Sequence, residues 1–305
     1  MEPALNFLHR LSEIRNPVLN TIFQLITRLG EEVVVLGIIC LLYWCVNKNS
    51  AYKLGLIFFA SGIAVQGLKV TFRIERPWIL DPSFSPVESA RPAATGYSFP
   101  SGHTQGATAL YGYFADKTKK LPIKILFITL FLLVGFSRMY LGVHTPYDVL
   151  ASLILTLIAV ILIGRYYERI AQKNGFVLTI VLATISVALC IYSFVLSSIG
   201  YIDATQINDC FKSGGAGLGF AIGYYIERNY LNFDVRTDKL WKQILKFVIG
   251  VLGALFFKSV LKLISPGNLL VDFIRYLLTV LWVIALYPLI FSKILDKQNK
   301  KRESN

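Results

Sequence analysis

The chain reads as an all-α membrane protein, a polytopic helical bundle. Three observations predict this. Of 305 residues, 55% are hydrophobic and only 16% are charged, against about 25% charged in ordinary soluble domains. Mean hydropathy is +0.58. The 31 Lys and Arg, which outnumber the 18 Asp and Glu to give a net charge of +13, fall in short patches between long apolar runs. A disordered chain would be far less hydrophobic, and a soluble enzyme would need more polar surface. A nucleic-acid binder would gather its cations on one polar face, so no nucleic-acid partner is expected.

In chain order, Met1–Pro17 is polar and carries no signal-peptide core. In Val18–Leu29, Val18, Ile22, Leu25, Ile26 and Leu29 recur at helical spacing opposite Asn20, Thr21, Gln24 and Arg28. That pattern predicts an amphipathic helix lying in the membrane interface. Nine spanning segments are expected, at about 31–47, 52–72, 101–116, 122–140, 146–164, 175–199, 213–228, 244–264 and 272–292. Several fall short of the ~20 apolar residues that a span prefers, and 244–264 is the weakest because it contains Lys258 and Lys262. Gly215, Gly219 and Gly223 stand four apart and predict a small-residue seam for helix packing. Cys40, Cys45, Cys190 and Cys210 have no metal-ligand spacing and are expected as buried thiols.

Loop cations set the expected orientation. One side carries 12 of the 31 Lys and Arg, and the other carries 19, five of them in the tail (Lys293, Lys297, Lys300, Lys301 and Arg302). The positive-inside rule then puts the C-terminus in the cytoplasm. The long 77–100 loop and the polar motifs fall on the outer side, with the plasma membrane as the expected location.

Three segments on that side carry the chemistry. Lys69 precedes Arg76-Pro77 by seven residues; Pro100-Ser101-Gly102-His103 opens a helix; Ser137-Arg138 is followed by His144 and Asp148. Lys69, Arg76 and Arg138 can neutralise a phosphate dianion, the arginines in bidentate fashion. Free backbone N–H groups at Ser101 and Gly102 suit phosphate oxygens at a helix N-terminus. Such a cluster can stabilise pentacoordinate phosphorus without a metal or other cofactor. Thr145-Pro146 reads as a helix start. Asp148 in the first turn is then close enough to accept the Nδ1 proton of His144, leaving Nε2 as nucleophile. His103 takes the role of general acid and then general base. Each residue also has a structural alternative. Asp148 can serve as a capping acid, Lys69 can snorkel, Arg76-Pro77 can end a helix, and Ser101 and Ser137 can either cap or bind phosphate. The joint placement of two of only three histidines beside cations on one membrane side favours the site.

These residues resemble the type 2 phosphatidic acid phosphatase superfamily, whose signature is K-x6-RP, PSGH and SR-x5-H-x3-D. Every signature position is matched, in family order. Arg91-Pro92 is a decoy, because Phe84 stands where the lysine would be. The resemblance implies His144 as phosphoryl acceptor, Asp148 as its partner and His103 as acid. It also implies Lys69, Arg76, Ser101, Gly102 and Arg138 as phosphate ligands, a phosphohistidine intermediate and no metal. The family's six-helix core covers 18–199. Residues 213–292, about three more spans, form a C-terminal transmembrane extension on which the signature is silent, leaving open packing, homo-oligomer formation or a part in the substrate entrance. The expected activity is hydrolysis of a lipid phosphomonoester or diphosphate, with membrane lipids as surroundings. A water-soluble sugar phosphate, as in the glucose-6-phosphatase branch that this architecture also resembles, is the alternative. A non-enzymatic transporter lined by Lys258, Lys262 and Arg275 is the third reading.

Overall fold

The computed structural model describes residues 1–235, 239–264 and 267–292. The tail cations Lys293 to Arg302 lie outside the described residues. Among those described there are helices and no strand.

Two short helices open the chain. In α1 (Glu2–Glu13), Leu8 and Leu11 are buried with Phe84. Helix α2 (Pro17–Arg28) starts at Asn16, whose side chain accepts the Leu19 N–H at 3.0 Å, with Pro17 in the first turn. Val18, Ile22, Leu25 and Leu29 are exposed on its outer face, as an interfacial helix requires. A 41° bend at Gly30 leads into α3 (Glu32–Leu41), which continues through a π turn to Val46.

The helices then run back and forth between two ends of the bundle. Helix α4 (Lys48–Phe72) rises toward the end that holds the polar motifs, and it stops where Arg73 takes a left-handed φ of 51°. The Arg73 guanidinium lies 4.1 Å from the Tyr201 ring, a cation–π contact at that turn. Short turns α5 (Pro77–Leu80) and Glu88–Ala93 shape the following loop. Helix α6 (Gly102–Lys117) descends and α7 (Leu121–Tyr140) returns.

Helix α8 (Pro146–Ser198) is assigned without a break, yet its contacts reverse. Its first turn meets Ser98 through Asp148. Glu168 meets Lys53, at the foot of α4, at 2.8 Å. Tyr192 is back at the top, 3.0 Å from Thr71. It is therefore two antiparallel limbs, Pro146–Ala171 and Gly175–Ser198. Helices α9 (Asn208–Ile226), α10 (Leu240–Ile264) and α11 (Leu269–Leu281, extended by a π turn to Leu286) complete the bundle.

Among the described residues, six helical segments are long and apolar enough to cross a membrane, and a seventh if the bent α2–α3 pair counts as one span. Nine spans were expected. The weakest of them is a clear candidate, as Leu240–Val260. The two that do not qualify are α6, which at 16 residues is too short, and α9. Both run the length of the bundle, but they face inward: Thr104, Gln105, Gly106 and Thr108 of α6 are all buried. A helix shielded from lipid has no need of an apolar surface.

The expected glycine seam lies between α9 and α11. A Cβ at Gly215 would meet the Phe273 carbonyl oxygen at 2.2 Å, and one at Gly219 the Leu277 oxygen at 2.6 Å. The missing side chains let the two backbones touch. A second close approach holds the site helix. A Cβ at Gly30 would fall 2.5 Å from the His103 carbonyl oxygen, and one at Gly106 would fall 2.8 Å from the Gly30 oxygen. The α2–α3 bend is thereby wedged against the start of α6. The four cysteines are unpaired, three of them buried and Cys45 half-buried.

Candidate active site

The site lies where α4, α6, α7 and α8 present their ends to a cavity of about 350 Å³. Lys69, Arg76, Gly102, His103, Arg138 and His144 all line it. Three sequence motifs spread over eighty residues thus converge on one space.

Local chemistry explains how each is held. Lys69 sits in the last turn of α4, buried, and its Nζ donates to the Tyr97 carbonyl. Arg76 is fixed by backbone oxygens: Nε donates to Gly96 at 3.0 Å, Nη2 to Thr95 at 2.6 Å and Nη1 to Val143 at 2.9 Å. Nη1 also lies 3.1 Å from His144 Nε2. A guanidinium can only donate, so this nitrogen is the unprotonated one and Nδ1 carries the hydrogen.

Arg138 is buried in the last turn of α7. One nitrogen, Nη1, donates to Thr27 Oγ1 at 2.9 Å, while Nε and Nη2 have no partner. His103 Nε2 is likewise buried and unpartnered. Unsatisfied buried donors are costly. Here they belong to residues that line the same cavity, which puts them beside the space an oxyanion would occupy.

His144 lies in the short link between α7 and α8. Burial first, then the charges of Arg76, Arg138 and Lys69, hold its imidazole well below the usual histidine range. The ring is therefore neutral at pH 7, which a nucleophilic nitrogen requires. Asp148 Oδ2 is 3.4 Å from Nδ1, a long contact. The same oxygen accepts the Ser98 hydroxyl at 2.6 Å and the Thr145 N–H at 2.7 Å. Thr145 Oγ1 returns the bond from the Asp148 N–H, so the capping box is complete. The capping role and the orienting position of Asp148 coexist in one carboxylate, and Oδ1 has no partner.

Two expected residues stand behind the cavity wall rather than on it. Ser101 caps α6, and its Oγ accepts from Thr104, both from the backbone N–H and from the hydroxyl at 2.9 Å. Asp148 is screened by His144. Ser137 donates to the Val134 carbonyl within its own helix, which answers its ambiguity in favour of structure. Arg91 is exposed beside Glu88, away from the cavity. Of the cations considered for a transport path, Arg275 pairs with Asp272, and Lys258 lies 3.9 Å from Glu32.

Sequence reasoning missed several participants. Ser98 and Thr27 had no local signal, being joined to Asp148 and Arg138 only by the fold. Asp209 and Lys212 also line the cavity, bonded to each other at 2.8 Å, and Asp209 accepts from Thr95 at 3.1 Å. Opposite charges one turn apart, just ahead of the glycine run, were a legible signal for them.

The chain is similar in sequence to proteins already known. The sequence model of the PAP2 superfamily matches residues 50–172, and that of the PAP2 superfamily phosphatase transmembrane extension matches 211–300. Undecaprenyl-diphosphatase BcrC of Bacillus subtilis (strain 168) is 32% identical over 167 residues, 53% of this chain and 81% of its own. Phosphatidylglycerophosphatase B of the same strain is 30% identical over 174 residues, covering 52% of this chain and 80% of its own. The crystal structure of a transmembrane PAP2-type phosphatidylglycerolphosphate phosphatase from Bacillus subtilis is 27% identical, with a TM-score of 0.47, over 55% of this chain and 86% of that one.

Proposed function

Because the chain belongs to the PAP2 superfamily and is a membrane-embedded phosphatase, we propose that it hydrolyses a phosphomonoester or diphosphate carried by a membrane lipid, through a phosphohistidine on His144. The observation that carries this is the cavity wall itself. Three buried cations and two histidines face one space, and the free donors of Arg138 and His103 await an anion. The lipid class is supported by relatives whose names specify undecaprenyl diphosphate and phosphatidylglycerophosphate as substrates.

The steps follow from the residues. The phosphate dianion sits among Lys69, Arg76 and Arg138, with Gly102 at the start of α6 lining the same space. The Nε2 lone pair of His144 forms the N–P bond as the P–O bond to the lipid breaks, and His103 gives its proton to the leaving oxygen. A water then attacks phosphorus, His103 takes its proton, the N–P bond breaks, and His144 returns neutral. Asp148 lies beside Nδ1 to compensate the charge that the ring carries as the phosphohistidine forms. The three cations spread over the equatorial oxygens supply the charge compensation, so the mechanism needs no metal. The core at 18–199 holds every reacting group, and the extension at 213–292 adds a wall. The excess of Lys and Arg that the sequence assigns to the opposite side supports an extracytoplasmic site in the plasma membrane.

The test is phosphate release by purified protein from a panel of lipid phosphates and sugar phosphates, with chelator present. Lipid turnover that survives chelation and disappears in His144→Ala is the expected result. Normal release by His144→Ala, or an absolute need for added metal, would overturn the mechanism. Sugar phosphates turned over as well as lipids would overturn the substrate class.

A further inference from the structure

A second cavity, of about 230 Å³, lies between α3, α4, α9, α10 and α11. Its wall is almost wholly apolar, with Leu36, Ile39, Phe220, Val251 and Val280 among the lining side chains. It adjoins the phosphate cavity, because Phe59 is part of both walls. A bridge of polar groups marks the border. Glu32 lines the phosphate cavity, Lys258 lines the apolar one, and the two lie 3.9 Å apart. Tyr276, on the phosphate side, has Lys258 Nζ 5.7 Å from its ring centroid.

The second cavity runs in one direction only, down the bundle. With a rise of ~1.5 Å per helical residue, Gly37 lies ~8 Å and Cys40 ~12 Å below Glu32 along α3. Its open side faces the bilayer: Val33 on α3 is 63% exposed and Leu255 on α10 is 49% exposed. A molecule with its phosphate at Arg76 and His144 would therefore have an apolar cavity beside it, across Phe59, open to the bilayer between α3 and α10.

We infer that this cavity holds the hydrocarbon chain of the substrate, and that the C-terminal extension supplies about half of its wall. The inference rests on the lipid-phosphatase reading and makes it narrower: chain length is read by α3 against α9, α10 and α11, and the Glu32–Lys258 pair stands where chain and headgroup meet. The apolar lining gains from each buried methylene.

Gly37 offers the test. It lines the cavity, and a Cβ built there meets nothing within 4 Å. Gly37→Leu thus adds bulk at the cavity wall from a Cβ that meets nothing. Val251→Phe, from the facing wall on α10, is the independent second variant. Full-length protein in detergent is assayed on phosphatidates and polyprenyl diphosphates of graded chain length, and on para-nitrophenyl phosphate as a chainless probe. In the wild type, kcat/KM rises with chain length to a plateau. In the variants the plateau comes at a shorter chain, with at least a tenfold fall in long-chain over chainless selectivity and unchanged para-nitrophenyl phosphate turnover. The same chain-length profile in wild type and in whichever variant folds would overturn the assignment while leaving the lipid-phosphatase reading intact. So would an equal fall for long and chainless substrates in variants that unfold at the wild-type temperature. No release from any lipid by the wild type would sink that reading, and this inference with it.

Discussion

Arg76 Nη1 lies 3.1 Å from Nε2 of His144, while Asp148 Oδ2 lies 3.4 Å from Nδ1 across the ring. The imidazole is gripped between a donor and an acceptor, and only one neutral tautomer suits both. The grip also has a temporary member. On the proposed mechanism, the Nε2 lone pair becomes free to attack when a phosphate oxygen takes over as the Arg76 acceptor.

Arg76→Lys tests whether the planar fork matters. Lysine keeps the charge but cannot hold the carbonyls of Thr95, Gly96 and Val143 at once. A fall in kcat of about 10²–10³-fold is expected, the size seen for loss of one transition-state donor. Inhibition by vanadate, which mimics pentacoordinate phosphorus, should weaken in parallel. Steady-state kinetics with vanadate titration checks both, and wild-type kcat would refute the role.

Asp148 can be dissected by two substitutions. Asp148→Asn retains an oxygen able to accept from Ser98 and Thr145, so stability should fall little. Its lost charge should cost about 10²–10⁴ in kcat, by analogy with the amide replacement of a triad carboxylate. Asp148→Ala additionally removes the cap interaction, for a further loss of about 1 kcal/mol. Thermal unfolding in detergent beside activity separates the two. Equal stability loss in both variants would argue against the shared role.

The pH dependence has a definite sign. The native His144 pKa is depressed, so between that value and the ordinary ~6.5 the unfolded chain binds a proton that the folded protein does not. The contribution of His144 to stability therefore rises with pH through this window and worsens on acidification. Unfolding temperatures at pH 7 and pH 5 should differ less in His144→Gln than in the wild type. Vanadate, an anion that favours the protonated ring, should reduce the acid sensitivity.

The glycine seam predicts a packing variant. Gly219→Leu places side-chain atoms where the Leu277 carbonyl already lies. Overpacking of this kind typically costs about 1–3 kcal/mol. Because Asp209, Lys212 and Ser213 on the same helix line the phosphate cavity, activity should fall together with the unfolding temperature. Gly219→Ala should be milder on both measures.

The spans that touch lipid were legible because their apolarity is a direct answer to the solvent they face. So was the signature, because phosphate needs a particular inventory of cations and histidines. Helices α6 and α9 were legible as helices but not as enclosed ones, since an enclosed helix is free of that solvent and hides Gln105 or a row of glycines inside. Contacts made only by the fold left no mark along the chain: Ser98 on Asp148, Thr27 on Arg138, Gly30 on the His103 backbone. Asp148 was read both as cap and as histidine partner, and the fold shows why the sequence could not choose: one oxygen faces both.

The α9–α11 seam also bears on how the protein is made. Helix α9 lacks the apolar length to settle in a bilayer alone, and its glycines lie against the backbone of α11, the last described helix to leave the ribosome. The wall bearing Asp209 and Lys212 therefore takes its final position only after residues 269–286 have been synthesised and inserted. All the residues proposed to react are translated by Asp148, yet the pocket around them waits for α11.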